Sequence, residues 1–339
     1  MESLRPLSYQ LRRVEMDRPK LKIIFMGSPQ EVVCILERLR ALANQYFIDL
    51  IGVISQPARP FGRKRVLKDP PVAEYAKSHS ILTLQPESSR SDDFLSQLRS
   101  LAPDLIFTAA YGQILSDDFL SIPSKGTINF HPSLIPKYRG ATPVQAALLN
   151  GDKQTGITAL FTVKALDAGD VILQKKFDIK DDETADVLMS RLFTECARSI
   201  TEVLERVCDP HFKPSPQDPN AVTHCKKIQK SDGLVDWSQP ADIIFSQYQG
   251  LTSWPGIFTF MDKKRILITK ILSTYDKYES TLQPGQFIFD KNLKGLVVRS
   301  GDGYIVIGNL KPASSKEIDA ASFWNGHKIN KVGYFHADS

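Results

Sequence analysis

Residues 21–42, LKIIFMGSPQEVVCILERLRAL, decide how the first half of the chain is read. The opening LKIIFMG (21–27) is a continuous apolar run with β-branched members, the composition of a strand buried on both faces. Gly27-Ser28-Pro29 end that run, and VVCILERLRAL (32–42) follows with apolar residues at helical spacing. Working outward, the same alternation returns. FIDLIGVIS reads as a strand, PPVAEYAKSH as a helix, ILTLQP as a short strand, DDFLSQLRSLAP as a helix and DLIFTAA as a strand. Strands alternating with helices imply right-handed crossovers and a mainly parallel sheet. Ligands of such sheets sit beyond the carboxyl ends of the strands, so the YGQILS loop and the segment after INF should border the site.

The pattern changes after ETADVLMSRLFTECARSITEVLERV, which reads as one long helix. Residues 208–228 hold Pro210, Pro214, Pro216 and Pro219 among polar residues without periodicity, the composition of a linker. One further helix, PADIIFSQYQGL, precedes GIFTFM, RILITKI, GQFIF, GLVVRS and YIVIGNL, short β-rich segments separated by turn residues. Gly301-Asp302-Gly303 between the last two is a hairpin signal. Strands without crossover helices suggest a small antiparallel barrel, an OB-like architecture that often binds oligonucleotides or sugars but assigns no function alone. The organisation expected is a disordered extension over 1–20, a catalytic domain over 21–207, a linker over 208–228 and a β-barrel domain over 229–339.

The 339 residues suffice for two domains, and 42% hydrophobic with 24% charged residues is ordinary for a globular protein. Cys34, Cys196, Cys208 and Cys225 form no CxxC pair, which argues against a disulfide framework or zinc knuckle and for a reducing, cytoplasmic setting. No run of 18 apolar residues is present to span a membrane. Residues 1–20 lack the apolar core of a secretory signal; Arg5, Arg12 and Arg13 faintly suit a transit peptide, while Glu2, Glu15 and Asp17 speak against one. Net charge is +5, too small to identify a nucleic-acid binder, although residues 211–339 carry 16 Lys+Arg against 12 Asp+Glu.

The chemistry is concentrated in residues 126–174, GTINFHPSLIPKYRGATPVQAALLNGDKQTGITALFTVKALDAGDVILQ. Asn129 and His131 end a strand two residues apart, so both side chains project from one face. Pro132 and Pro136 stiffen the exit, and Asp167 lies in a loop that Gly169 lets bend. An amide, an imidazole and a carboxylate are the parts needed for acyl transfer to an amine. Asn129 can donate to the oxygen that gains charge, as in an oxyanion hole. His131 can donate a hydrogen bond or move a proton. Asp167 can orient the imidazole or take a proton from the attacking ammonium. Asn and Asp are also routine turn formers, and a lone His beside Pro is often just a hydrogen-bonded surface or core residue. No Walker motif, GxGxxG or HExxH occurs, so neither a nucleotide phosphate loop nor a metal is expected.

The stretch NFHPSLIPKYRGATPVQAALLNGDKQTGIT…LDAGDVILQ resembles the signature of the folate-dependent formyltransferase family. The family's Asn, His and Asp match Asn129, His131 and Asp167. The resemblance implies 10-formyltetrahydrofolate as donor, with no metal. It places the folate near Tyr111, Gly112, Gln113, Ile114 and Leu115, and near the Ser133, Leu134, Ile135 and Pro136 turn. Tyr138-Arg139-Gly140-Ala141 and the insertion SQPARPFGRKRVLKDPPVAEYA (55–76) resemble the members that act on methionyl-tRNA, as do VDWSQPADIIFSQYQGLTSWPGIFT and GDGYIVIGNLKPASSKEIDAASFWNG. That likeness implies initiator methionyl-tRNA as acceptor, a role in translation initiation, a monomer, and tRNA contacts by Arg59, Arg63, Lys64, Arg65, Lys68 and Arg139. Five cations on one loop can neutralise phosphates, although a basic run is also an ordinary solvated surface. The fold class expected is α/β: a Rossmann-like, mainly parallel formyltransferase domain followed by the antiparallel barrel. Gln30 departs from the acid usual at its position in the family, and Thr142 from a small apolar residue.

Overall fold

The computed structural model describes residues 20–43, 47–62, 65–329 and 331–336. Most of the amino-terminal extension, together with Arg63 and Lys64, lies outside the described residues. Packing divides the described residues into two compact units: those within 20–141, 156–177 and 189–224, and those within 142–155, 178–188 and 225–336.

In the first unit, β1 (Leu21–Gly27), β2 (Ile48–Ile54), β3 (Arg59–Phe61), β4 (Val66–Lys68), β5 (Thr83–Leu84), β6 (Leu105–Ala109), β7 (Thr127–His131), β8 (Gln154–Phe161) and β9 (Val171–Asp178) succeed one another. Seven of them form a sheet ordered β5-β2-β1-β6-β7-β8-β9. The pairs β5–β2, β2–β1, β1–β6 and β6–β7 are parallel, and β7–β8 is antiparallel. Ile23 through Met26 and all of β6 are buried, as unbroken apolar runs require when helices cover both faces. Helix Asp92–Leu101 turns Phe94, Leu95 and Leu98 into a cluster with Ile24, Met26, Ile106 and Phe119. Each such side chain contributes roughly 1.5–3 kcal/mol when fully buried. Gly27 is required where β1 meets β6, because a Cβ there would lie 2.8 Å from the Ala109 carbonyl oxygen.

Between β2 and the helix Pro71–Ser78, the basic insertion is not a plain loop. β3 and β4 pair antiparallel as a hairpin, Arg59 opposite Lys68 and Phe61 opposite Val66. Every residue of both strands is exposed.

In the second unit, β10 (Ile257–Met261), β11 (Lys264–Tyr275), β12 (Gln286–Asp290), β13 (Gly295–Arg299), β14 (Tyr304–Pro312), β15 (Ile318–Asp319) and β16 (Gly333–Tyr334) make the order β10-β11-β14-β13-β12-β16, with β15 on β14. Phe260 and His336 exchange both backbone hydrogen bonds, at 3.0 and 2.8 Å, which joins the two ends of that order into a barrel. Its core gathers Trp237, Ile257, Ile268, Phe287, Val298, Ile305, Phe323 and Phe335. The Gly301-Asp302-Gly303 turn links β13 to β14, and Asp302 Oδ1 accepts from Ala241 N at 2.9 Å, capping the start of helix Ala241–Leu251.

Helix Pro143–Leu149 belongs to this second unit although the sequence places it in the catalytic domain. It packs on helix Ala241–Leu251, where Gly250 admits Leu149 so closely that a Cβ would lie 3.0 Å from its Cγ. Of residues 208–228, read from composition as linker, 208–224 group with the first unit and 225–228 with the second, and Ser215 and Val171 exchange backbone bonds at 2.8 and 2.9 Å. The fold class is the expected one: an α/β unit with a mainly parallel sheet, and a small antiparallel β unit.

Candidate active site

β6 and β7 run side by side in parallel, Thr108 opposite Asn129, so their carboxyl ends open onto the same edge. The YGQILS loop leaves one and His131-Pro132-Ser133 leaves the other. Asn129 and His131 project from the same face of β7, with His131 buried. Asp167, far along the chain, returns to them. Asn129 Nδ2 donates to Asp167 Oδ1 at 3.2 Å, and His131 Nδ1 lies 3.7 Å from Asp167 Oδ2. The side chains of His131 and Asp167 are only 5% and 8% exposed. The structure therefore brings the amide, the imidazole and the carboxylate together.

The way they are held differs from expectation in one respect. At 3.7 Å the imidazole and carboxylate do not share a hydrogen bond. His131 Nε2 instead meets the Tyr138 carbonyl oxygen at 2.9 Å. A carbonyl only accepts, so Nε2 carries a hydrogen and Nδ1 is the nitrogen facing Asp167. Asp167 Oδ2 takes its own hydrogen bond from Gly140 N at 2.9 Å. Each carboxylate oxygen thus has a neutral donor, and the second N–H of Asn129 is available to another acceptor.

Both loops adopt left-handed backbone at these contacts, with φ of 62° at Tyr138 and 50° at Asp167. The bend expected of Gly169 is made at Asp167 itself, a residue type that tolerates this region. Gly169 has a different necessity: a Cβ there would fall 1.8 Å from the Phe161 carbonyl oxygen.

The Ser133–Pro136 turn is anchored from β8 and β9. Thr158 Oγ1 accepts from Ile135 N at 3.2 Å and donates to the Ser133 carbonyl at 2.7 Å, while Gln174 Nε2 donates to the Ile135 carbonyl at 2.8 Å. Ser133 and Ile135 are buried, and Leu134 packs where Gly156 leaves no room for a side chain. On the other loop, Tyr111 and Leu115 point into the core, Gly112 and Ile114 are exposed, and Gln113 lies between. Gln56 Nε2 donates to the Tyr111 carbonyl at 3.0 Å, and Gln113 Oε1 accepts from Ser89 N at 2.8 Å. Burial without a partner among the described residues pushes the Tyr111 hydroxyl up to about 12. A cavity of about 320 Å³ is lined by Ile135, Pro136, Gln174, Arg206 and Gln217, and by none of the converging three.

Among the basic residues, Arg59 pairs with Glu87 at 3.1 Å and Lys68 with Glu74 at 3.7 Å, both at exposed positions. Arg65 is exposed, and Phe61, Val66 and Leu67 flank these cations at 69%, 63% and 68% exposure. Arg139 is engaged elsewhere: its Nε and NH2 donate to Gln217 Oε1 at 3.1 and 2.6 Å. Gln217, Thr223, Thr158 and Gln174 support the site without having been singled out from sequence. The first two lie in an aperiodic stretch that carries no local signal.

Comparison with known proteins identifies the family. The Formyl transferase family model matches residues 21–204, and that of its C-terminal domain matches residues 227–328. A methionyl-tRNA formyltransferase of Listeria monocytogenes serotype 4a is 38% identical over 306 residues, 90% of this chain and 95% of that protein. One of Ruminiclostridium cellulolyticum is 37% identical over 310 residues, 91% and 98% of the two chains. Among solved structures, WlaRD, a sugar 3N-formyl transferase crystallised in the presence of dTDP and 5-N-formyl-THF, superposes with a TM-score of 0.62 at 16% identity, covering 87% of this chain and 99% of that one, a likeness of fold. The matched segments include the strand that ends in Asn129 and His131 and the loop of Asp167. This chain belongs to the formyl transferase family.

Proposed function

We propose that this chain transfers the formyl group of 10-formyltetrahydrofolate to the α-amino group of initiator methionyl-tRNA, and that Asn129, His131 and Asp167 carry the step. The observation that bears most weight is the convergence of these three side chains at the carboxyl end of β7, two of them nearly buried. The relatives acting on methionyl-tRNA, at near 38% identity over most of the chain, support the acceptor.

A free α-amino group has a pKa of about 7.7–8.0, so much of it is protonated near neutrality. Asp167, its oxygens fixed by Asn129 and Gly140, is placed to accept that proton. The freed amine adds to the formyl carbon, and the carbonyl oxygen gains charge. The remaining N–H of Asn129 stabilises that oxygen, as a preorganised donor does. His131, oriented through Nε2 by Tyr138, acts through Nδ1 as a hydrogen-bond donor or proton carrier for the departing nitrogen.

The donor is a co-substrate, and the residues at the end of β6 fit it. Exposed Ile114 and Gly112, at φ 89°, offer an apolar surface and bare backbone to a flat ring, beside the strand that carries Asn129 and His131. The Ser133–Pro136 turn supplies the opposite wall. The exposed β3–β4 hairpin is the surface for the tRNA phosphates, through Arg59, Arg65 and Lys68 with the basic pair Arg63 and Lys64 that follows Gly62 in sequence, and Arg139 lies nearer the chemistry. Four widely spaced free cysteines fit a cytoplasmic enzyme, here assigned as a monomer; no helix among the described residues is long and apolar enough to cross a membrane.

The test is incubation with labelled 10-formyltetrahydrofolate and methionine-charged initiator or elongator tRNA. Label on the initiator alone is the expected result. Label on an amino sugar nucleotide in place of either tRNA would replace the acceptor, and release of formate alone would make the chain a hydrolase.

A further inference from the structure

The stretch that follows helix Ala185–Cys208 lies across both loops that hold the converging side chains. Two residues make the contacts. Gln217 Nε2 donates to the carbonyl oxygens of Asp167 and Gly169 at 2.9 and 2.7 Å, and its Oε1 accepts both Arg139 bonds. One side chain therefore ties the Asp167 loop to the Tyr138–Gly140 loop. Thr223 completes the second loop: its Oγ1 accepts from Tyr138 N at 2.9 Å and its carbonyl from Arg139 N at 2.9 Å, while its own N–H donates to Pro136 at 3.1 Å. The Tyr138 residue is then held at both ends, since its carbonyl orients His131.

These loops need holding. Tyr138 and Asp167 sit at positive φ, a conformation that reverts when surrounding contacts are lost. Asp167 Oδ1 is held from the sheet by Asn129 of β7, whereas Oδ2 takes its hydrogen bond from Gly140 N on the other loop. A shift of either loop moves the carboxylate, the imidazole, or both.

We propose that Gln217 and Thr223 are positioning residues for formyl transfer, a strap that sets the geometry of Asp167 and His131 without touching substrate. The proposal rests on the roles given to those two residues above. It follows that the strap governs turnover more than substrate affinity. A misplacement of about 1 Å at a reacting group costs up to about 100-fold in rate.

The experiment compares Gln217→Ala, Gln217→Glu, Thr223→Val and Thr223→Ser, each checked by circular dichroism and thermal melting, in steady-state formylation of methionyl-tRNA. Gln217→Glu keeps an acceptor for Arg139 but cannot donate to the two carbonyls. Thr223→Val keeps the shape and loses the hydroxyl, and Thr223→Ser restores it. For Gln217→Ala, Gln217→Glu and Thr223→Val we expect kcat to fall roughly 10- to 100-fold. KM for each substrate should stay within about twofold, because misplaced reacting groups weaken only the transition state. Thr223→Ser should recover turnover near that of the unsubstituted chain. Folded variants with unchanged kcat overturn the strap and leave the catalytic assignment standing. A rise in KM for tRNA with kcat unchanged overturns it too, making this segment part of the acceptor surface. If the unsubstituted chain formylates no amine, the parent reading fails and the strap with it.

Discussion

His131 and Asp167 face each other at 3.7 Å without sharing a hydrogen bond. Each is held by backbone of the same short loop, His131 by the Tyr138 carbonyl and Asp167 by the Gly140 amide. The imidazole nitrogen toward the carboxylate is thereby left without a hydrogen bond to Asp167. That arrangement costs left-handed backbone at both Tyr138 and Asp167, strain of the kind found where geometry serves chemistry.

Removing either the amide proposed for the carbonyl oxygen or the imidazole proposed for the departing nitrogen should lower turnover while sparing tRNA binding. Asn129→Ala and His131→Ala are each expected to lose at least ~100-fold in kcat, the scale for an oxyanion donor or a positioned acid–base group. Single-turnover formylation at saturating tRNA, beside a filter-binding isotherm, checks it. Near-normal turnover in either variant would remove that residue from the step.

Charge and conformation at Asp167 can be separated. Asn tolerates positive φ, so Asp167→Asn should melt close to the parent chain yet lose ~100-fold or more in kcat, since it can no longer accept a proton. Asp167→Val should lose the activity and also about 1–3 kcal/mol of stability, because a β-branched residue resists φ near 50°. Equal melting temperatures for the two variants would contradict the strain.

Gly169→Ala forces a Cβ into the Phe161 carbonyl oxygen, 1.8 Å away, where only backbone can yield. A loss of about 1–3 kcal/mol is expected, as for overpacking elsewhere, together with lower kcat as the Asp167 loop shifts. Urea unfolding and steady-state kinetics measure the two effects, and an unperturbed enzyme would show that the loop can move freely.

Tyr111→Phe probes the YGQILS loop. The phenol is buried and its hydroxyl has no partner among the described residues, so deleting it should be neutral or stabilising by up to about 1 kcal/mol. Its folded pKa of about 12 is above the unfolded value. The neutral phenol therefore favours the fold fully below the unfolded value of about 10, and that contribution is lost as pH rises from there to about 12. The variant should lose less stability across that alkaline window than the parent in urea titrations. KM for the folate should not change, because the ring faces the core rather than the loop's open side.

Arg59→Ala combined with Arg63→Ala should weaken tRNA binding and flatten its dependence on salt by about one to two units of logarithmic slope, each cation releasing about one counterion from a phosphate. An unchanged slope would take the hairpin out of the interface.

The elements of the α/β half are legible in sequence because each is coded locally. LKIIFMG and DLIFTAA are short, β-rich and mostly apolar, as strands covered on both faces are, and DDFLSQLRSL repeats at the helical period. Asn129 and His131 are legible together because alternation along a strand fixes their common face. The hairpin β3–β4 was less so: RPF and VLK are short, wholly exposed, and paired by backbone rather than by any buried pattern.

What the chain's order of residues determined by itself was therefore the sheet, the β-rich second half and the three residues proposed to react. Only the tertiary structure decided that helix Pro143–Leu149 packs on Ala241–Leu251, that Tyr138 rather than Asp167 orients the imidazole, and that Gln217 joins two loops. The reason is physical. Periodicity records which face of an element is buried, but a hydrogen bond between a side chain and a backbone carbonyl 50 residues away leaves no period in the sequence and exists only once both segments have been brought into place.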